Sequence, residues 1–495
     1  MKTRNKYYIA ALGFLATIAC APSSHADDQI YHPFPQGYSY MHENQQLEKA
    51  VETGNIPFLR QHGWKLWAGI MQQPTDMTWP VWYSWPNATA AYKDPAATAT
   101  PCPLPNLKGT AMEQKTQTGL LAANARNSIM DDVKLPTYPI PAAVIKAYPE
   151  ATSYDEKTGC TILDGKHFQF NGDIMIPTES FSKQAFDWIH PLDPKAPALY
   201  KQSTLDELHA KGVHQLQAPT ASIVTKHMYW PVKKGQLGVL PVWMNDYGDE
   251  FTGYAGYELW NQTVAIDPSN KREGETVKTS YLYGVDFSDL PASRRPTLPI
   301  SKESKIFGLD KFYHHQVTQK DWDSFDQADK AILNASSYWA YNQPFEPGDY
   351  LVSIAMHINT KEVPSWALNS TWWSPTPNAG KYSKNRPLLP QAKGPWQHYE
   401  LVDAYDVTPP KGQDMPVAMN PYIELVIHPV ATNCQNCHIR AGWPISPIGK
   451  PKEKGKASYQ NPDCDNMLAH LTPESGCLAP LTLTDYQWTI PDRAF

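Results

Sequence analysis

The sequence predicts an α+β protein, mainly β with short helices, whose C-terminal segment packs on a β-rich body. Runs of alternating apolar and polar residues recur between positions 218 and 409, bounded by Gly, Pro, Asn or Lys clusters. Proline supplies 46 of 495 residues, close to twice its usual share of about 5%, which favours many short elements joined by rigid loops. Within the body only Thr318 to Trp339 repeats its apolar residues at long helical spacing. A chain of this length with 41% hydrophobic residues exceeds one ordinary domain and can build a sizeable core. It divides into a leader 1–26, a mixed Trp/Pro-rich region 27–217, the β-rich body 218–409 and a C-terminal segment 410–495.

The leader carries Lys2, Arg4 and Lys6, an apolar run from Tyr7 to about Ala21, and then Ser24-His25-Ala26 before Asp27. This is the pattern of an export signal, with small residues where a signal peptidase cuts. Cys20 raises the alternative of a lipid-anchored form, but Thr17 stands where Leu is usual, so cleavage after Ala26 is favoured. No later segment approaches the roughly 20 apolar residues of a transmembrane span. A bacterial periplasmic or secreted protein is therefore expected. The formal net charge of −6 gives no reason to expect nucleic acid or an anionic membrane as partner.

In region 27–217, Asn55 can cap a helix with Pro57 in its first turn. Trp64, Trp67, Ile70 and Met71 follow at helical spacing, so one face is buried. Trp79-Pro80-Val81-Trp82-Tyr83-Ser84-Trp85-Pro86 cannot continue that helix. Its rings either bind a flat ligand such as a sugar or, the favoured reading, pack the loop against the body. Thr204 with Glu207 forms a capping box that opens a short helix through Leu208.

The body opens with strands at Ala221 to Trp230 and Gly238 to Met244, separated by Lys233-Lys234-Gly235. Gly253 to Ile266 and Thr276 to Phe287 add further strands before the Thr318–Trp339 helix. From Leu351, a period of two puts Val352, Ile354, Met356 and Ile358 on one face. Leu351, Ser353, Ala355, His357 and Asn359 take the other, a mostly small and polar face with one imidazole. Trp366 to Trp373 returns as a partner strand. The small-residue face is either the wall of a flat pocket or an ordinary surface, with His357 paired to Glu362 across the turn.

In the C-terminal segment an apolar strand, Tyr422 to Ile427, leads to Cys434-Gln435-Asn436-Cys437-His438. Two cysteines three positions apart, followed at once by histidine, are the attachment signature of a c-type haem. Each thiol can add across one porphyrin vinyl group, and the imidazole of His438 is then held where it can bind iron. With this chain's 7 Cys and 16 His, chance alone gives such a quintet on the order of once in three hundred chains. Half a zinc site and a redox disulfide are the competing readings. Zinc would want a second Cys/His pair, and no thioredoxin-like βαβ pattern surrounds the motif. Beyond it, Met467 to Leu471 reads as a short helix and Leu481 to Ile490 as a strand.

Apart from Cys20 and the motif, four cysteines remain: Cys102, Cys160, Cys464 and Cys477. An even remainder in an oxidising compartment suggests two disulfides, Cys464–Cys477 and Cys102–Cys160, though other pairings or free thiols stay open.

The quintet resembles those of the c-type cytochromes. That resemblance implies one covalent haem c on Cys434 and Cys437 with His438 as the proximal ligand. It does not extend to a small cytochrome domain, because no Gly-x-Phe/Tyr helix precedes the motif. Three signatures are similar to those of large exported bacterial monohaem proteins of unassigned function. They are Met356-His357-Ile358-Asn359-Thr360-Lys361-Glu362 with Trp366 and Trp372-Trp373, then Asn433 to His438, then Thr484-Asp485-Tyr486-Gln487-Trp488. They cover about the C-terminal third and imply no reaction.

The expectation is an exported monohaem protein that moves single electrons, serving a redox partner or its own small-molecule substrate. A binding or sensor protein for a sugar, aromatic or gaseous ligand is the alternative, and a haem-dependent oxidoreductase the third. His357 and Met467 are candidates for the distal side of the haem, with Met415, Met419 and His470 also in reach by sequence.

Overall fold

The computed structural model describes residues 31–38, 44–92, 175–243, 262–280, 301–325, 327–341, 343–424, 432–446, 453–458, 461, 463–464 and 466–494. In chain order the strands are β1 (Ile176–Phe181), β2 (Ile223–Val232), β3 (Gly238–Val242), β4 (Gln262–Asp267), β5 (Thr276–Ser280) and β6 (Ser301–Gly308). They continue with β7 (His314–Gln316), β8 (Tyr350–Thr360), β9 (Ala367–Trp373), β10 (Tyr399–Ala404), β11 (Gly442–Trp443) and β12 (Thr482–Leu483). The architecture is α+β and mainly β, as the sequence predicts.

The main sheet is antiparallel in the order β1-β2-β8-β9-β10, with β7 pairing β8 beyond the end of β9. A second sheet, β3-β4-β6-β5, contains one parallel pair, β4 with β6. The two-residue strands β11 and β12 pair near the C-terminus.

Paired residues share a face, and this corrects the expected alternation along β8. Tyr229 pairs Ser353 but Met228 pairs Ala355, so Ile354 is an extra residue opposite the β2 step. Such a bulge shifts the period by one. Val352 therefore shares a face with Ala355, His357 and Asn359, while Ser353 lies with Met356 and Ile358. The His227 ring, opposite Met356, accordingly reaches Ser353 Oγ at 2.7 Å.

Both faces of the sheet are covered. On the Ser353 face lies α2 (Ile56–Ile70), preceded by α1 (Gln45–Glu52). Asn55 caps α2 by accepting from Phe58 N, with Pro57 in its first turn, as expected. Trp64, Trp67 and Ile70 are fully buried, each contributing roughly 2–3 kcal/mol of apolar burial. Trp67 packs on Tyr313 and Tyr399, its ring centroids 5.5 and 4.9 Å from theirs. The Trp-rich segment covers the neighbouring part of the same face: Trp82 stacks on His227 at 4.7 Å and Trp79 on His315 at 3.4 Å. These rings are buried, so the packing reading holds for them.

The His357 face carries the C-terminal segment. Asn420 Nδ2 donates to Ser370 Oγ (2.7 Å) and to Thr371 O (2.8 Å), and Tyr422 Oη donates to Pro241 O at 2.8 Å. The sheet is thus the middle layer of three.

Several local expectations are corrected. The Thr318–Trp339 helix is two helices, Gln319–Ser324 and Gln327–Tyr341, because Phe325 is extended; Trp322 turns to stack on Phe345. The helix near Thr204 spans Gln202–Ala210, its first turn opened by Lys201 and not by the Thr204 box. Tyr422 lies in a turn, because Asn420 Oδ1 takes its N–H and Asn420 O takes that of Glu424. Residues 425–427 of that expected strand lie outside the described residues.

Met467–Leu471 is not helical, since the carbonyls of Met467 and Leu468 bond Asn436, Thr432 and Met415 instead of helical amides. The expected Leu481–Ile490 strand shrinks to β12, broken at Asp485 and Tyr486, and residues Thr489–Arg493 are helical. Cys464 and Cys477 form the expected disulfide, with Cα atoms 5.1 Å apart. Cys102, Cys160, the leader, residues 253–261 and residues 281–287 lie outside the described residues.

Candidate functional site

Cys434–His438 forms a five-residue helix capped by Asn433, whose side chain accepts from Gln435 N at 2.9 Å. Spacings of three and four residues put Cys434, Cys437 and His438 on one side of a helix. Both thiols are free. Cys434 Sγ donates to Ala418 O at 3.0 Å.

The two residues between the cysteines are the anchors. Gln435 Nε2 donates to Ser365 O at 2.9 Å and Trp366 O at 2.7 Å, tying the helix to the β8–β9 turn. Asn436 Nδ2 donates to Met467 O at 2.5 Å, and Arg440 bridges Asn436 O and Asn466 O. Trp488 Nε1 donates to Cys437 O at 3.1 Å.

Burial drives the Cys437 thiol up to about 12, with the Glu424 charge pushing the same way; Cys434 is raised for the same reasons. A redox dithiol needs the opposite, a thiolate stabilised by positive surroundings. Burial also holds the His438 imidazole at about 4, opposed by its bond to Tyr486 and helped by the charges of His357 and Lys226. The ring is therefore neutral at pH 7. Its Nδ1 lies 2.7 Å from Tyr486 O, an acceptor only, so Nδ1 carries the proton and Nε2 keeps its lone pair. A metal-binding histidine needs this tautomer.

The carbonyl that sets the tautomer belongs to an unusual turn. Asp485 and Tyr486 are both left-handed, with φ of 50° and 67°, a conformation that costs about 1–2 kcal/mol for each non-glycine residue. Asp485 is fully buried. Its carboxylate accepts from Lys361 Nζ at 2.8 Å, Trp366 Nε1 at 3.1 Å and Ala218 N at 2.8 Å.

Toward the sheet, His357 Nε2 pairs with Glu424 Oε1 at 2.7 Å. The expected surface partner, Glu362, instead binds His62 at 3.0 Å and Thr360 at 2.7 Å. On the strands beside His357, Glu179 pairs with Arg493 at 3.0 Å and lies 3.9 Å from Lys226. Cys437, His438, His357 and Glu424 are all half-buried.

The structure thus brings the three sequence signatures together: His357, Lys361 and Trp366 from the first, the Cys434–His438 helix, and Asp485, Tyr486 and Trp488 from the last. Of the other ligand candidates, His470 pairs with Asp406 at 2.8 Å, and Met415 and Met419 are buried. Met467 is tethered by its carbonyl to Thr432 and Asn436. Sequence spacing does not single out Glu424, Gln435 or Asp485 as site residues, although Asp485 lies within Thr484–Trp488 and Gln435 between the cysteines.

Among the described residues no group of three or more His, Cys, Asp or Glu is arranged to hold a bare metal ion. A haem needs less from the chain, since the porphyrin brings four nitrogen donors. Two free thiols three residues apart and one oriented, neutral imidazole fit that need. No family model, no curated protein and no solved structure matches the chain.

Proposed function

We propose that this chain is an exported monohaem c-type protein that moves single electrons to a redox partner or a small-molecule substrate. One observation carries the reading: free Cys434 and Cys437 share a helix with His438, whose Nδ1 donates to a backbone carbonyl and leaves Nε2 for iron. Cys434 and Cys437 would hold the group covalently and His438 would bind its iron. Bound there, haem supplies a one-electron couple whose potential is set by ligation, burial and hydrogen bonding.

The acceptor for His438 bears on the reaction type. A carboxylate at Nδ1 would push the imidazole toward imidazolate and favour oxidative chemistry at the iron. The neutral Tyr486 carbonyl raises ligand basicity far less, which supports electron transfer or reversible binding over a peroxidase-like role. Export is supported by the 1–26 leader and by the Cys464–Cys477 disulfide, a bond that persists in oxidising compartments. No helix among the described residues is long and apolar enough to cross a membrane.

The test is chemical. Denatured protein should retain its haem through acid–acetone extraction and give a c-type pyridine haemochrome. Cys434→Ala with Cys437→Ala should lose it, as should a chain lacking residues 1–26 that stays in the cytoplasm. Complete extraction of haem from the wild type would end the reading.

A binding or sensor role is the second reading, favoured by the half-buried His357–Glu424 pair on the sheet face that carries the attachment segment. If haem were held there, the His357–Glu424 pair could hydrogen-bond a small molecule bound beside it. A Soret shift on adding carbon monoxide to the reduced protein, reversed on its removal, supports this role; an unchanged spectrum rejects it.

A further inference from the structure

The attachment helix and the carbonyl facing His438 hang from the same turn. Between β8 and β9, Lys361 Nζ donates to Pro364 O at 2.6 Å and to Asp485 Oδ1 at 2.8 Å. Trp366, fully buried and itself left-handed at φ 61°, gives its carbonyl to Gln435 Nε2 and its indole N–H to Asp485 Oδ2. Gln435 precedes His438 by three residues, and Asp485 precedes the carbonyl that His438 meets by one. The 361–366 turn therefore fixes both ends of the His438 contact through two side chains.

Asp485 is fully buried, and its three donors come from two separate parts of the chain, Ala218 and the turn that carries Lys361 and Trp366. Asp visits the left-handed region more readily than most residues, but singly, and Tyr has no such preference, so two successive left-handed residues here draw on that grip. The turn's outcome is a carbonyl aimed at His438 Nδ1 at 2.7 Å.

We propose that Asp485 is a positioning residue for the iron-binding imidazole, fixing the ring's orientation and the strength of its Nδ1–H···O=C bond, and through them the reduction potential. This rests on the haem reading above. The hydrogen bond makes the imidazole a stronger donor and so favours the oxidised iron. Loosening the Asp485 turn weakens that bond and raises the potential.

Asp485→Asn is the informative variant. Asn keeps the shape and tolerates a left-handed φ, but its amide has one acceptor oxygen where three donors converge, so its NH2 group must face either Lys361 or the N–H groups of Trp366 and Ala218. Covalent haem should remain, as read by the pyridine haemochrome. The midpoint potential should rise by the equivalent of about tenfold in the reduced-to-oxidised ratio, about 59 mV for one electron. The iron–imidazole stretch, read by resonance Raman after photolysis of the carbon monoxide adduct, should fall in frequency.

Because Lys361 loses its counter-charge in that variant, the double variant Asp485→Asn with Lys361→Met separates charge from geometry: the lowered stretch should persist. If Asp485→Asn does not fold, Trp366→Phe decides, with smaller shifts in the same directions. A stretch and potential equal to the wild type in the folded variant overturn the proposal. A wild-type protein without a haemochrome overturns the underlying haem reading instead.

Discussion

His227, on β2, stacks against both Trp82 and Tyr229, whose ring centroids lie 4.7 and 4.5 Å away. Its Nε2 bonds Ser353 Oγ, and complete burial holds its imidazole down at about 3. An unfolded histidine titrates near 6.5, so between that pH and about 3 the unfolded chain binds a proton that the folded one refuses. The stability this represents is fully present above pH 6.5 and lost as pH falls toward 3, at about 1.4 kcal/mol per unit for one site. His227→Phe keeps the stacking and removes the proton site. The variant should lose about 1–3 kcal/mol at pH 7, because the Ser353 hydroxyl loses its partner. Its stability should nevertheless fall less steeply on acidification. Denaturant midpoints at pH 7 and pH 4.5 measure both; equal slopes for the two proteins would reject the assignment.

At the scale of elements, α2 and the sheet meet without a gap at Gly63. A methyl built there would sit inside contact distance of Asn369 Oδ1 and 3.3 Å from Leu401 Cδ2. Asn369 cannot simply swing away, because its Oδ1 also accepts from Tyr405 Oη at 3.3 Å. Tyr405 is in turn tied to His62 at 2.9 Å, and His62 to Glu362. Gly63→Ala should therefore destabilise by about 1–3 kcal/mol, the usual cost of overfilling a packed site. Urea unfolding should give a lower midpoint at unchanged slope. A loss under about 0.5 kcal/mol, the range of ordinary surface changes, would mean the helix can lift off the sheet. On the opposite face the bulge at Ile354 does the comparable work, since one extra residue sets which neighbours His357 keeps.

For the whole molecule, the Cys464–Cys477 loop supports the Cys434–His438 helix. It carries Asn466 and Met467, whose carbonyls hold Arg440 and Asn436, and Leu468, whose carbonyl takes Met415 N. The bridge spans 13 residues, a loop whose closure contributes about 3 kcal/mol by restricting the unfolded chain. Cys464→Ser with Cys477→Ser should lower stability by about 2–3 kcal/mol while leaving Cys434 and Cys437 free, as the proposed haem requires. Thermal unfolding compared with the wild type under non-reducing conditions tests the first part, and the haemochrome the second. An unchanged midpoint would show the loop is held by its hydrogen bonds alone.

Local chemistry was legible in the sequence. The quintet, the α2 cap and buried stripe, the strand and return strand around 351–373 and the Cys464–Cys477 pair all depend on residues close in the chain, where spacing dictates geometry. The mainly β class followed from the same short-range alternation. What tertiary structure alone decided was phase and partnership. The Ile354 bulge depends on a mismatch with β2, more than 120 residues earlier, and it overrode a period-two pattern that looked continuous. Asp485 and Tyr486 break an alternating strand pattern because donors from Ala218, Lys361 and Trp366 converge on one buried carboxylate. Glu424 answers His357, and Glu362 does not, because the sheet face that His357 occupies is covered by the C-terminal segment. Hydrogen bonds of this kind are satisfied by whichever group burial brings near, and sequence spacing carries no record of them.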